Sequence, residues 1–186
     1  MMRGSYPTEP WLSPKVEVHS SGIHGKGMFS KVSISQGEIV VIWGGKYVSK
    51  SQADRARMSN PVLRVQQIDD DVFEVFSKET AGTDPTYFQN HSCDPNTWME
   101  DEVTISARRN IQVGEELTID YAMFEANESY VVTESCVCAA PICRKRITGG
   151  DWRLPELQKR YGNHFSPLIN RRIAKFHASG AVPAQR

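Results

Sequence analysis

Residues 90–96 read Asn90-His91-Ser92-Cys93-Asp94-Pro95-Asn96, and residues 114–121 read Gly114-Glu115-Glu116-Leu117-Thr118-Ile119-Asp120-Tyr121. The first stretch follows Tyr87-Phe88 and is wholly polar or turn-forming, so by itself it reads as a surface loop. What sets it apart is an amide, an imidazole and a thiol within four positions. His91 alone reads first as a structural histidine. The second stretch opens on a turn glycine and alternates Leu117, Ile119 and Tyr121 with polar residues, the pattern of a half-buried strand with a tyrosine at its end. A core-packed tyrosine is the ordinary outcome of such a pattern, and a phenol delivered into a pocket is the chemical one.

Working outward, Cys93 has three cysteine companions, Cys136, Cys138 and Cys143. Their C-x-C-x4-C spacing is awkward for two independent disulfides, and in an intracellular chain such a cluster points to metal. Ordinary thiols are the blander alternative. A closed tetrahedral zinc site needs four soft ligands, and Cys93 is the fourth cysteine available. Three local ligands and one distant one would pin the C-terminal segment to the body of the domain.

Upstream lies Gly22-Ile23-His24-Gly25-Lys26-Gly27. Its spacing is wrong for a dinucleotide fingerprint, and Lys26 is followed by glycine rather than Ser or Thr, so a phosphate loop is disfavoured as well. The glycines offer close backbone approach to a ligand or strand, or simply a tight turn. Around it, Lys15–His19 and Glu38–Trp43 read as strands, the second closed by Gly44-Gly45. Ser49–Met58 reads as a short capped helix. Val62–Ile68 and Val72–Phe76, separated by Asp69-Asp70-Asp71, give a hairpin signal, and Val103, Ile105 and Ala107 mark another strand. From Asp151 to Lys175 apolar residues recur at helical spacing, interrupted by Gly162 and Pro167, so two short helices are expected. Strands with turn punctuation dominate the middle and no βαβ rhythm is present. The fold class is mainly β (α+β) with a short helical C-terminal segment.

With 186 residues, 39% of them hydrophobic and 24% charged, the chain fits one soluble globular domain with room for a real core. Its longest strongly apolar run, Ile39–Trp43, is far short of the roughly 20 residues of a spanning helix, so no membrane partner is expected. Pro7, Pro10 and Pro14 near the start, with no apolar h-region, exclude a signal peptide and point to an intracellular location. Net charge is zero but unevenly spread: residues 91–143 hold 2 Lys+Arg against 10 Asp+Glu, and residues 144–186 hold 10 against 2. The acidic middle suits a cationic substrate and the basic tail suits phosphates, including nucleic acid, although mutual pairing accounts for both more simply.

Taken in order, Gly25-x-Gly27, Asn90-His91-Ser92-Cys93, Gly114 to Tyr121 and Cys136-x-Cys138-x4-Cys143 resemble the SET-domain protein lysine N-methyltransferases with their zinc-binding post-SET segment. The resemblance covers about residues 15–147. It implies small β-sheets around a pseudoknot in which the segments Tyr87–Asn96 and Leu117–Phe124 cross. It divides that span into a SET domain (15–126) and a post-SET zinc segment (127–147), while the Pro-rich, aperiodic start reads as a flexible N-terminal arm (1–14) and the helical spacing beyond as a C-terminal extension (148–178) with a tail (179–186).

The same resemblance assigns S-adenosylmethionine to Gly25, Lys26 and Gly27, with Tyr87, Asn90, His91 and Tyr121 contributing. Tyr121 matches the catalytic tyrosine, and Cys93, Cys136, Cys138 and Cys143 match the ligands of a structural zinc. The expected partner is a protein with an exposed lysine, such as a histone-like tail. A catalytically silent module that binds a peptide or a partner protein is the alternative. The chain departs from the family at Ile119, where many members carry Phe or Tyr. An aliphatic side chain there cannot hydrogen-bond a water or the amine, which suggests room for more than one methylation.

Overall fold

A computed structural model of the chain describes residues 6–60, 63–77, 82–132 and 134–180. Eleven short strands are β1 (Trp11–Leu12), β2 (Val16–Ser20), β3 (Lys26–Ser30), β4 (Ile39–Ile42), β5 (Lys46–Val48), β6 (Arg64–Asp69), β7 (Val72–Phe76), β8 (Asn90–His91), β9 (Thr97–Met99), β10 (Thr104–Ala107) and β11 (Glu116–Ile119). They form three sheets, in the orders β1-β4-β10-β9, β2-β3-β11-β8 and β5-β7-β6. Helices α1 (Lys50–Ser59), α2 (Pro155–Tyr161) and α3 (Pro167–Ala178) complete the described elements, with 3-10 turns at Pro85–Phe88, Tyr121–Met123 and Asp151–Arg153.

Local chemistry accounts for most of these boundaries. Ser49 caps α1, its hydroxyl accepting from the Gln52 amide while the Gln52 side chain returns to the Ser49 amide, a reciprocal capping box. Proline at the first position starts both C-terminal helices, where its missing N–H costs nothing. β6 and β7 pair antiparallel, as the two apolar runs around the aspartates predict; Val62 lies outside the described residues. β8 and β11 are the only parallel pair among the described strands, Thr118 opposite Asn90 and Ile119 opposite His91. That pairing lays the two motif segments side by side, as the fold expected from the sequence requires.

Two expectations need correction. The chain before Lys15 is not a free arm over its whole length. β1 adds an edge to β4, Ser13 is buried, and its amide donates to the Val40 carbonyl at 2.9 Å. Pro10 and Pro14 leave too short a stretch between them for any alternation to be read, yet enough for two residues to pair. Tyr121 does not end a strand either. β11 stops at Ile119 because the Asp120 side chain accepts from the Ala122 amide at 3.0 Å and turns the chain into a 3-10 helix beginning at Tyr121.

The core runs from Met28, Val40, Val41, Ile105 and Leu117 into the C-terminal helices through Leu157, Tyr161, Phe165 and Leu168. The helical extension therefore shares the sheets' hydrophobic core. Three of its arginines turn to the body: Arg171 pairs with Asp69 and Asp70, Arg153 with Glu128, and Arg172 donates to the Ala126 carbonyl at 2.5 Å and to Gln67 at 3.0 Å. Of these pairs, Arg153–Glu128 joins the basic tail to the acidic middle, while Arg171 and Arg172 are held by β6 and by backbone. Among the described residues no helix is long and apolar enough to cross a membrane.

Because Leu157 is almost fully buried in that shared core, Leu157→Ala should destabilise the whole domain by about 2–5 kcal/mol. Urea denaturation should show one transition at a lower midpoint. A separate minor transition, with the main one unmoved, would mean that the extension folds on its own.

Candidate functional site

Strand β8 is two residues long, and both of its side chains face inward. The Asn90 amide nitrogen lies 3.2 Å from the His24 carbonyl, 3.0 Å from the Lys26 carbonyl and 2.7 Å from Glu116 Oε1, donating toward all three. Glu116 also accepts from the Ser21 hydroxyl, at 2.8 and 2.9 Å to its two oxygens. One carboxylate thus ties β2's end, the glycine turn and β8 together. A Cβ at Gly27 would stand 2.2 Å from Glu116 Oε1, so a larger residue there would push the carboxylate off its partners. Gly25 has a φ of +50° and no atom within 4 Å of where a Cβ would be, so the turn's backbone is bare on that side. Lys26 Nζ lies over the Phe88 ring, 5.1 Å from its centroid.

His91 is buried beside this turn. Its Nδ1 accepts from the Tyr121 amide at 3.3 Å, which puts the ring proton on Nε2, 3.3 Å from Cys93 Sγ. Burial pushes its pKa down to about 4, with Arg144 adding to the effect and the Asp120 carboxylate opposing it. The imidazole is therefore neutral at physiological pH and serves to orient the backbone of Tyr121. The Tyr121 hydroxyl donates to the Gln89 carbonyl at 3.2 Å, and its ring meets His91 edge-on, 5.1 Å between centroids and 61° between planes. Burial raises the phenol's pKa well above its ordinary value, so it stays protonated. Tyr121 packs against both hydrophobic clusters, the main core and the smaller one around Cys93, Cys136 and Ile147.

The four cysteines are free thiols whose sulfur atoms all lie within 4.8 Å of one another. A zinc–sulfur distance of about 2.3 Å in a tetrahedron separates the sulfurs by roughly 3.8 Å, so the cluster is close to that arrangement as it stands. Two backbone amides already point at sulfur, Arg144 N–H to Cys93 Sγ at 3.3 Å and Cys93 N–H to Cys138 Sγ at 3.4 Å. Donors of this kind stabilise thiolates bound to a metal. Ala139 and Lys145 hold left-handed backbone, φ 57° and 63°, on either side of Cys143. Such strain costs about 1–2 kcal/mol per residue and persists where surrounding bonds fix the loop.

Behind the cysteines lies a polar network in which Asp120 and Asp151 are completely buried. Arg144 donates to both Asp120 oxygens at 2.7 Å and to Asp151 at 3.1 Å, and the Tyr161 hydroxyl donates to Asp120 at 2.9 Å. Arg160 reaches the Cys93 carbonyl at 2.9 Å. The cysteine segment, the motif segment and the helical extension are thereby locked to one another.

Of the residues singled out from sequence, the structure brings Gly25, Lys26, Gly27, Asn90, His91 and Tyr121 into one continuous region and gathers Cys93, Cys136, Cys138 and Cys143 beside it. Tyr87 turns its hydroxyl away, to Glu74 on β7. Glu116, Arg144, Asp120 and Asp151 were not singled out. Glu116 and Asp120 lie inside the quoted motif and Arg144 directly follows Cys143, so position alone could have marked them.

Comparison with known proteins agrees with this geometry. Residues 25–122 match the SET domain. Over 137 residues the chain is 32% identical to the histone H3-lysine(4) N-trimethyltransferase ATX1 of Arabidopsis thaliana, covering 67% of this chain and 12% of that protein. It is 31% identical over 139 residues to histone-lysine N-methyltransferase 2B of Homo sapiens, covering 70% of this chain and 5% of that one. The chain thus spans a small part of the length of these relatives. Among solved structures, the methyltransferase domain of human histone-lysine N-methyltransferase SETMAR shares the fold, with a TM-score of 0.51 and 22% identity over 72% of this chain and 58% of that one. The matched residues carry the glycine turn, Asn90-His91-Ser92-Cys93 and Tyr121, and the chain belongs to the SET-domain family.

Proposed function

We propose that the chain is an S-adenosylmethionine-dependent protein lysine N-methyltransferase. The observation that supports this most is the position of residues 89–91 between two chemical features. On one side Asn90 donates to the carbonyls of the glycine turn; on the other, His91 and the Gln89 carbonyl take the amide and hydroxyl protons of Tyr121. The names of the relatives, which act on histone lysines, favour a histone-like or other basic protein substrate, and the acidic stretch over residues 91–143 suits one by charge.

Gly25, Lys26 and Gly27 would hold S-adenosylmethionine through their backbone, with Asn90, His91 and Tyr87 alongside. When bound, it supplies a methyl group on a positively charged sulfonium. The residues present fit such a ligand: the turn is bare at Gly25, and His91 is neutral, so no imidazolium opposes the sulfonium charge. An amine must be neutral to attack, whereas free lysine has a pKa near 10.4. A lysine side chain placed beside Tyr121 and Phe124 leaves water, and desolvation lowers its pKa without a dedicated base. Tyr121 is protonated and already donates to Gln89, so its oxygen lone pairs remain to orient the amine. Ile119 offers no hydrogen bond at its position, and we expect more than one methyl group to be added. Cys93, Cys136, Cys138 and Cys143 would hold a zinc ion; four thiolates leave no open position, so its role is structural.

The decisive test is Tyr121→Phe. Loss of one hydroxyl creates little cavity, so stability and affinity for the donor should change little, while transfer of labelled methyl to a histone mixture should fall by roughly 10²-fold or more. Equal rates in variant and parent would reduce Tyr121 to a packing residue. A parent that binds donor and peptide but transfers nothing would favour the silent module. Asn90→Ala should weaken donor binding in a folded protein, since its amide holds the glycine turn; unchanged affinity in a titration would displace the pocket from this turn. For the metal, elemental analysis should find about one zinc per chain, and Cys138→Ser should lose it and expose residues 134–148 to proteolysis. A purified parent without zinc, or with its cysteines in disulfides, would overturn that assignment.

A further inference from the structure

β7 carries a buried carboxylate that the proposed chemistry does not use. Glu74 is 2% exposed and sits in mid-strand, opposite Tyr47 on β5 and Gln66 on β6, so these three side chains share one face of their sheet. That face is turned to the body of the domain. Gln66 donates to the Phe124 carbonyl at 3.3 Å and the Tyr47 hydroxyl reaches the Trp43 carbonyl at 3.4 Å. Glu74 Oε1 accepts from the Tyr87 hydroxyl at 2.5 Å, and the Tyr87 ring is stacked on Phe76 at 4.6 Å. Room for the carboxylate comes from Gly45, where a Cβ would stand 2.6 Å from Glu74 Oε1.

Tyr87 belongs to the 3-10 turn that leads into β8. The turn is held on one side by Glu74 through Tyr87 and on the other by Phe88 under Lys26 of the glycine turn. Asp84 caps it, accepting from the Thr86 amide at 2.8 Å. We propose that Glu74 is a positioning residue for cofactor binding: by accepting the Tyr87 hydroxyl it fixes the turn that delivers Asn90 and His91 to Gly25–Gly27. This rests on the reading of that region as the S-adenosylmethionine site.

A consequence is a pH dependence of definite sign. Burial pushes the Glu74 carboxyl up to about 7, opposed by the Tyr87 hydrogen bond and reinforced by Asp84. The groups that face it are the Tyr87 phenol and Asp84 from the turn and the Tyr47 phenol from β5. Burial raises both phenols, so they keep their protons. A charged carboxylate accepts a hydroxyl about twice as strongly as a neutral one. Cofactor binding therefore strengthens as pH rises through about 7. Folding stability moves the opposite way. A carboxyl whose pKa is raised by folding contributes stability that is full below its unfolded value and is lost as pH rises through its folded value. A purely structural Glu74 would not drive affinity up while stability falls.

Calorimetric titration of the full chain with S-adenosylhomocysteine, between about pH 6 and about pH 8.5 and alongside thermal melts, tests this. In the parent, Kd should fall roughly 3- to 10-fold across that range, while its melting temperature falls relative to that of Glu74→Gln. Glu74→Gln should bind at the parent's acid-side affinity throughout, and Tyr87→Phe, which keeps the carboxylate, should match it. Should Glu74→Gln not fold, Tyr87→Phe carries the comparison. A pH step in either variant as large as the parent's overturns the positioning role and leaves the site reading intact. A parent that binds nothing at any pH overturns both.

Discussion

Asp120 has no contact with solvent, yet its two oxygens accept four hydrogen bonds from three parts of the chain, with the His91 ring close by. The Ala122 amide turns the backbone at Tyr121, Arg144 grips both oxygens from the cysteine segment, Tyr161 arrives from α2, and His91 Nδ1 stands 3.7 Å away on β8. Such an arrangement is not free stability. Taking a carboxylate and a guanidinium out of water costs several kcal/mol per ion, and only good geometry recovers it. Burial opposes the Arg144 charge, and the hydrogen bonds and negative charge of Asp120, together with Asp151, more than offset that opposition, so the guanidinium keeps its proton. What the network secures is a single answer to where Tyr121 sits. Removing either partner would strand a buried charge, at about 3–5 kcal/mol, and this penalty makes alternative placements of the cysteine segment unfavourable.

Glu116 performs the corresponding task at the other end of β8. It has no guanidinium partner; an amide and a hydroxyl hold it, and the absence of a side chain at Gly27 makes room for it. The two acids lie four residues apart on one short segment. One fixes the glycine turn and the other fixes the tyrosine, so the distance from turn to phenol is set by strand geometry rather than by a loop. This explains why a two-residue strand suffices: β8 is clamped at both ends through its parallel neighbour β11.

Much of this was legible in the sequence because it is local and carried by residue type. The capping box at Ser49, the β6–β7 hairpin, the paired C-terminal helices and the cysteine cluster all stand in contiguous spacing. The remainder depends on register and on distant partners. Glu115 and Glu116 are identical letters, and only the side of the strand decides that Glu115 meets the exposed Arg109 while Glu116 meets Asn90. Arg144 lies 24 residues from Asp120, and its residue type is ordinarily exposed, so nothing in composition announces the pair. β1 was hidden by its flanking prolines. The charge imbalance was visible, but the partners of Arg171 and Arg172, Asp69 and Gln67, depend on the packing of α3 against β6.

Three acids in and beside this region, Asp120 and Glu74 buried and Glu116 half-buried, show how similar side chains acquire different roles. Asp120 faces a guanidinium, which grips both of its oxygens. Glu116 faces an amide and a hydroxyl at the edge of the turn, where its role is to fill the space left by Gly27. Glu74 faces a phenol, and burial leaves its carboxyl near neutrality. Glu74 is the one pushed upward, because the single hydroxyl it accepts offsets only part of its desolvation. A fold assembled from short strands needs buried polar clamps to fix its register, because each strand has too few side chains to do so by packing. The clamp with the weakest partner is then the one that responds to proton concentration, and here it lies on the sheet that flanks the path into β8.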